Sequence, residues 1–170
     1  AAHSHNPPQY SHLPLLTQQV RQKEEIMSDN STNIEVLEKT LPVAPLKIAA
    51  MESCQALGKK VNDYIVSFRE NTINEVKESP LYVNYRSNNY LVDCCCPRFG
   101  TGEAKGVIRE TIRGTDLFIM TDVCNYSLTY TVSGHLNHMS PDDHYQDLKR
   151  VISAATGKAH RITVIMPFLY

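Results

Sequence analysis

A glycine-rich turn in the second half of the chain contains three side chains that could bind a ligand. Phe99, Thr101 and Glu103 alternate around Gly100 and Gly102, so an extended backbone would project them in the same direction. The ring could stack on a purine base, and the carboxylate could accept a hydrogen bond from an amino group. An ordinary exposed hairpin tip is also polar, and the residues alone favour that simpler interpretation.

Two arginines follow this turn. Arg109 and Arg113 carry planar guanidinium groups, which match phosphate oxygens in a bidentate geometry. They could therefore bind a phosphorylated ligand, or they could simply keep an exposed hairpin soluble. Composition does not separate these two interpretations.

Cysteines and histidines provide two clusters of possible metal ligands. Three of the five cysteines are consecutive, Cys94, Cys95 and Cys96. On a strand the middle thiol points away from the other two, and no C-x-x-C pair completes a zinc site. Reduced thiols are the simpler interpretation, and soft-metal binding is the alternative. The second cluster consists of His135, His138, Asp142, Asp143 and His144.

The spacing within this second cluster matches no closed tetrahedral metal site. Asp142 and Asp143 have another explanation, because acidic residues are favoured in the first turn of a helix. We therefore expect a solvated loop followed by helix-capping residues, and no metal ligand. The sequence contains neither a P-loop nor a Rossmann phosphate-binding motif, so any nucleotide site is of another kind.

The elements that surround these residues alternate between strands and helices. Leu46–Met51 predicts a short apolar strand, and Ser53 is placed to cap the helix after it. Leu117–Met120 predicts a buried parallel strand whose end opens into a polar loop. Residues 160–166 predict a further strand. Apolar residues at helical spacing predict the inner face of the first helix, which runs to about Arg69: Leu57, Val61, Tyr64, Ile65 and Phe68.

The glycine-rich turn itself lies between two alternating segments. Tyr90–Arg98 and Lys105–Ile112 predict a two-stranded β-hairpin, or flap, with the turn at its tip. Val123–Met139 predicts a long polar loop. Ser140 then begins a second helix as its N-cap, and Gly157 follows the end of that helix. The predicted inner face of this helix consists of Tyr145, Leu148, Ile152 and Ala155.

The chain of 170 residues is long enough for one domain. Residues 1–33 are rich in proline, glutamine, serine and histidine, so we expect them to form a disordered extension. Residues 34–170 are predicted to form one α/β domain, with a mainly parallel sheet flanked by helices. Because the sequence stops after a central strand, we expect this domain to be truncated at its C-terminal end.

Charge and hydropathy exclude several classes of partner. The formal net charge is −1 and the basic residues are scattered, which argues against nucleic-acid binding. No apolar run approaches the roughly 18 to 20 residues of a membrane span, and the beginning of the chain lacks the pattern of a signal peptide. We therefore expect a cytoplasmic protein that does not enter a membrane.

Several stretches of the sequence resemble one enzyme family. Residues 98–103, RFGTGE, and residues 107–120, VIRETIRGTDLFIM, resemble the amino-terminal domain of ribose-phosphate pyrophosphokinases, the phosphoribosyl diphosphate synthetases. Similar matches occur upstream, at residues 47–48 and 53–57, and downstream, at residues 142–155 and 161–170. The resemblance covers most of residues 46–170.

This resemblance implies a type I phosphoribosyltransferase-like α/β domain with a β-hairpin flap. It also implies an enzyme that uses magnesium to transfer diphosphate from ATP to ribose 5-phosphate, and subunits that assemble as dimers and hexamers. Phe99, Thr101 and Glu103 match the flap residues that reach over the adenine of ATP in a neighbouring subunit. Thr111 and Arg113 match the family's allosteric phosphate or nucleotide site.

The sequence departs from the family in two respects. Insertions at residues 71–89 and 123–139 exceed the usual lengths. The family's ATP motif, magnesium-binding histidine and ribose-phosphate loop would begin after Tyr170, so the resemblance implies no catalytic residue in these 170 residues and no activity for them alone. The alternative is a non-catalytic regulatory or associated subunit that binds nucleotide at its flap.

Overall fold

A computed structural model of the chain describes residues 43–75 and 87–169. The predicted extension 1–33 lies outside these residues. The strands are β1 (Leu46–Ala50), β2 (Cys94–Cys95), β3 (Val107–Ile108), β4 (Asp116–Met120), β5 (Thr129–Val132), β6 (His135–His138) and β7 (Arg161–Ile165), and the helices are α1 (Gln55–Glu75) and α2 (Pro141–Ala155).

A parallel sheet in the order β1-β4-β7 forms the centre of the domain. This sheet and its helices confirm the predicted α/β class. Leu117 and Ile119 in β4 are fully buried, as expected for an apolar strand covered on both faces. At the first residue of each strand, Arg161 Nε donates to Asp116 Oδ1 at 2.9 Å, and this contact links β7 to β4.

The segment before the flap also belongs to this sheet. The Ile48 N–H donates to the Tyr90 carbonyl and the Val92 N–H donates to the Ile48 carbonyl, each at 2.8 Å. The segment Tyr90–Arg98 therefore does not pair within the hairpin along its whole length. Its first residues pair with β1, and Cys94 and Cys95 pair with β3.

Helix α1 packs through part of the predicted face. Leu57 is 42% exposed and Tyr64 is 71% exposed, so both predictions were wrong. A Cβ built on Gly58 would lie 2.4 Å from the Cβ of Ala50, so this glycine lets the helix approach β1 closely. Val61 and Ile65 pack against the core, as their spacing predicted.

Ser53 does not cap this helix. It lies in a 3₁₀ turn, Glu52–Cys54, that precedes α1. The Ser53 Oγ instead accepts a hydrogen bond from the Asp122 N–H at 3.0 Å and lies 3.4 Å from the Thr121 Oγ1. The serine therefore joins the carboxyl ends of β1 and β4.

Helix α2 begins as predicted, with a complete capping box. The Ser140 Oγ accepts from the Asp143 N–H at 3.2 Å, and an Asp143 carboxylate oxygen accepts from the Ser140 N–H at 2.9 Å. The predicted inner face was partly wrong, because Tyr145 is 43% exposed. The buried residues of this helix are His144, Asp147, Leu148, Val151 and Ala155.

The segment predicted to be a long polar loop contains a second β-hairpin. Strands β5 and β6 pair antiparallel from Thr129↔His138 to Val132↔His135. Ser133 and Gly134 both have positive φ, 50° and 82°, as a tight hairpin turn requires. We call residues 129–138 the insert hairpin.

Candidate functional site

The flap, residues 94–108, ends in a tight turn. Cys94 pairs with Ile108, and an isolated antiparallel bridge joins Arg98 to Ala104. The Phe99 N–H donates to the Glu103 carbonyl at 2.7 Å. Gly102 has a φ of 93°, a conformation that favours glycine. The predicted hairpin is confirmed, and we call residues 99–103 the flap tip.

The flap tip presents its side chains to solvent. Phe99 is 53% exposed, and Thr101 and Glu103 are also exposed. The structure therefore brings a ring, a hydroxyl and a carboxylate together within one turn. This arrangement can offer a stacking surface and a hydrogen-bond acceptor to a ligand.

An open groove runs between the flap and α2, with Phe99 in its wall. It also contains the basic side chains of Lys105, Lys149 and Arg150. A Cβ built on Gly106 would lie 2.3 Å from the Arg150 carbonyl oxygen, so the flap backbone lies directly against the helix backbone. A larger residue at this position would push the flap away from α2.

A buried carboxylate holds the base of the flap. Arg98 Nη2 donates to Asp147 Oδ2 at 2.8 Å, and Arg150 Nη1 donates to Asp147 Oδ1 at 2.6 Å. The Arg98 and Asp147 side chains are 12% and 6% exposed. Burial raises the pKa of the Asp147 carboxyl, although the guanidinium groups of Arg98 and Arg150 counteract it.

The sequence analysis missed Asp147 because it predicted the inner face of α2 from apolar residues only. One signal was present in the sequence. Asp147 lies three residues after His144 and four before Val151, so helical spacing places all three on one side of α2. An acidic residue in that position needs a cationic partner.

Thr111 and Arg113 lie near each other in a shallow depression of about 160 Å³ beside the end of α2. Both are exposed, and Lys158 contributes a second cation to the same depression. The Gly114 N–H donates to the Lys158 carbonyl at 2.9 Å, which fixes the two segments together. Glu110 is also present, but its carboxylate accepts from Lys47 Nζ at 3.5 Å.

Arg109 does not lie in this depression. Its Nη1 donates to Asp93 Oδ2 at 2.9 Å, and its Nη2 lies 3.4 Å from the Cys95 Sγ. The hydrogen bond and charge of Asp93 raise the pKa of the Arg109 guanidinium. The two arginines considered together in the sequence are thus separated, and Arg113 is the one beside Thr111.

The consecutive thiols have different environments. Cys94 Sγ donates to the Ala50 carbonyl at 3.6 Å, and Cys96 Sγ donates to the Asp147 carbonyl at 3.7 Å. Burial raises the pKa of Cys94 to about 11 and that of Cys96 to about 12. Such thiols stay protonated at neutral pH, which makes them poor nucleophiles.

Three members of the second possible metal cluster, His138, Asp143 and His144, have separate partners. His144 Nε2 lies 2.8 Å from the Asn125 carbonyl oxygen, and His138 Nδ1 lies 2.9 Å from the Tyr126 carbonyl oxygen. Asp143 caps α2, and although burial acts against it, hydrogen bonds from Ser140 lower the pKa of its carboxyl. Within residues 43–75 and 87–169, no three ligating side chains come together to hold a metal ion.

The carboxyl end of the sheet is occupied by polar groups that bond to one another. Thr121 is buried, and the Cys124 N–H donates to Asp122 Oδ1 at 3.0 Å. Asn125 Nδ2 donates to the Ser53 carbonyl at 3.2 Å.

In the described part of the chain, no helix has the length and apolar character of a membrane span.

The parallel sheet, its flanking helices and the hairpin flap define an α/β domain of the phosphoribosyltransferase kind. A family model described as the N-terminal domain of ribose phosphate pyrophosphokinase matches residues 46–170. The chain therefore belongs to this family. A search of curated proteins finds no match for the chain.

We expect the native fold to protect Cys94 and Cys96 from alkylation. At pH 8, iodoacetamide should label exposed Cys124 first, because the other two thiols are shielded and protonated. Mass spectrometry of the labelled peptides measures the order. The urea-unfolded chain is the control, in which all these thiols should react at similar rates.

The same thiols predict how stability changes with pH. Their pKa values are about 11 and 12 when folded, against 9.0 for an ordinary cysteine, so the folded state holds more protons above pH 9. The free energy of unfolding should therefore fall as the pH rises from 9 to 11. A variant with Cys94→Ala and Cys96→Ala should lose this part of the slope. Equal slopes in the two proteins, or labelling of native Cys94 as fast as Cys124, would contradict the assignment.

Proposed function

We propose that the chain is the amino-terminal domain of a ribose-phosphate diphosphokinase. This enzyme transfers diphosphate from ATP to ribose 5-phosphate and makes phosphoribosyl diphosphate for nucleotide biosynthesis. The observation that carries the proposal is the family match over residues 46–170. We propose that the enzyme is cytoplasmic and forms a homo-oligomer, either a dimer or a hexamer.

In this proposal the flap serves ATP bound to a neighbouring subunit. Phe99 stacks on the adenine, Glu103 accepts a hydrogen bond from the exocyclic amine, and the Thr101 hydroxyl lies beside them. The exposure of all three side chains supports this role, because a flap that reaches another subunit must present its tip outward. The ion pair between Arg98 and Asp147 supports it further by fixing the base of the flap.

The contribution of this domain to the reaction is binding and orientation. A tightly held adenine positions the phosphates of ATP, and positioning is a large part of the catalysis of phosphoryl-type transfer. Magnesium, when bound, would neutralise phosphate charge. We assign none of the described residues as its ligand, since no three of them converge on one point.

We expect these 170 residues alone to transfer no diphosphate. The groups that bind magnesium and ribose 5-phosphate in the family lie outside the flap and sheet described above, and transfer needs both. The measurement is formation of phosphoribosyl diphosphate from ATP and ribose 5-phosphate, with a known synthetase as the positive control. Turnover by the purified 170-residue chain would overturn this expectation.

The role of the flap can be tested in a longer, active enzyme that contains this domain. Phe99→Ala and Glu103→Ala should each raise the KM for ATP about tenfold, because stacking of a base is worth about 1–3 kcal/mol and a charged hydrogen bond is worth a similar amount. The kcat should change less. Steady-state kinetics at varied ATP measures both constants.

Tyr64→Ala provides a matched control for these variants. Tyr64 is 71% exposed on α1, so its loss removes an aromatic side chain from another surface. An unchanged KM for ATP in both flap variants would contradict the assignment of Phe99 and Glu103 to the adenine of ATP. Nucleotide binding at the flap without turnover, in every longer form of the protein, would instead favour the associated, non-catalytic subunit.

We also propose that Thr111 and Arg113 form an allosteric phosphate or nucleotide contact. The depression that contains both side chains supports this role, and Lys158 adds positive charge. In a longer, active enzyme that contains this domain, Arg113→Ala should weaken phosphate activation or nucleotide inhibition about tenfold, because it removes a bidentate, charge-assisted contact. Activity at saturating substrate should stay the same.

The control for this prediction is Arg109→Ala. Arg109 lies on the same segment but pairs with Asp93, so its loss removes the same charge outside the depression. Dose-response curves for phosphate and for a nucleoside diphosphate measure the effect. Identical curves for wild type and Arg113→Ala would refute the allosteric role.

A further inference from the structure

The insert hairpin touches the flap at two points. A Cβ built on Gly102 would lie 3.3 Å from a γ-methyl group of Val132, so the end of β5 packs against the flap tip. The Arg98 guanidinium lies over the ring of Tyr130, 4.6 Å from its centroid. One hairpin thus contacts both the tip of the flap and its base.

Arg98 is the residue that joins these contacts. Its Nη1 lies 3.4 Å from the Gly102 carbonyl oxygen in the flap tip, and its Nη2 donates to Asp147 in α2 at 2.8 Å. The carbon of the same guanidinium lies over the Tyr130 ring, 4.6 Å from its centroid. A guanidinium can be held by the hydrogen bonds that its N–H groups donate and by a cation–π contact with an aromatic ring.

We propose that the insert hairpin supports the flap, and that Tyr130 is a positioning residue for the flap tip. The inference rests on the proposed function of the flap. Tyr130 acts through Arg98: the ring fixes the guanidinium, and the guanidinium fixes the Gly102 carbonyl and the turn that carries Phe99. Val132 fills the space beside Gly102 and limits movement of the tip toward the hairpin.

The segment just before the insert hairpin provides an internal contrast. Tyr126 and Leu136 are 65% and 68% exposed. Tyr126 stacks on His138, with ring centroids 4.8 Å apart, and so packs within its own segment. Tyr126 is therefore an aromatic side chain near the hairpin that can be removed without removing a contact to Arg98.

The support can be tested directly by amide hydrogen exchange on the 170-residue chain. The Phe99 and Gly102 N–H groups are the probes, since they donate to carbonyls within the flap tip at 2.7 and 2.9 Å. Tyr130→Leu should raise their exchange rates about twofold to thirtyfold, the range expected for loss of a cation–π contact. Tyr130→Phe keeps the ring and should restore wild-type rates, and Tyr126→Leu should leave them unchanged.

A second variant, at Val132, and steady-state kinetics of the Tyr130 variants test the same inference independently. Val132→Ala should raise the same exchange rates without removing the ring, so the support is examined even if Tyr130→Leu folds poorly. In a longer active enzyme, Tyr130→Leu should raise the KM for ATP severalfold with little change in kcat, and Tyr130→Phe should restore it. A general loss of stability would lower kcat as well.

The outcomes separate this inference from the proposed function. Unchanged exchange at Phe99 and Gly102 in both Tyr130→Leu and Val132→Ala would overturn the support by the insert hairpin. Faster exchange supports it. Faster exchange together with an unchanged KM for ATP supports the inference and removes the assignment of the flap to ATP.

Discussion

The domain depends on one buried carboxylate. Asp147 lies on the inner side of α2 and binds Arg98 of the flap and Arg150 of its own helix. Removing one partner from a buried ion pair costs about 3–5 kcal/mol, because the remaining charge is left without water or partner. Without the carboxylate, the flap would keep its contact at Gly106 but lose the interaction that fixes its base. The position of every proposed ATP contact therefore depends on a residue that contacts no ligand.

The sequence was most informative where the backbone itself imposes a requirement. The apolar run at Leu117 and Ile119 predicted a buried parallel strand, because a strand covered on both faces has no polar alternation. Ser140, Pro141 and Asp143 predicted the beginning of α2, since each satisfies a particular group of the first helical turn. Glycines predicted the flap turn for the same kind of reason. These requirements are local, so a single sequence contains them.

The predictions failed where long-range partners decide burial. Tyr145 was expected inside because it is apolar and correctly spaced, whereas His144 and Asp147 are buried because they bond to a carbonyl and to two guanidinium groups. The insert hairpin was missed because its outer strand, β6, is exposed along its whole length and has no apolar alternation. The Ser133-Gly134 pair was the signal that could have indicated its turn. The structure exposes Phe99, Thr101 and Glu103 together at the flap tip and brings Thr111 and Arg113 into one depression.

The contact between Gly106 and the backbone of Arg150 fixes how far the flap extends from the domain. A contact between side chains can adjust when a side chain changes rotamer. The contact between the backbones at Gly106 and Arg150 cannot adjust in this way, because backbone atoms have no rotamers. In the proposed oligomer, the angle between subunits would then decide whether Phe99 reaches a base on its neighbour. With the reach of the flap fixed in this way, the proposed contact with a neighbouring subunit would depend on how the subunits are arranged and not on movement of the flap.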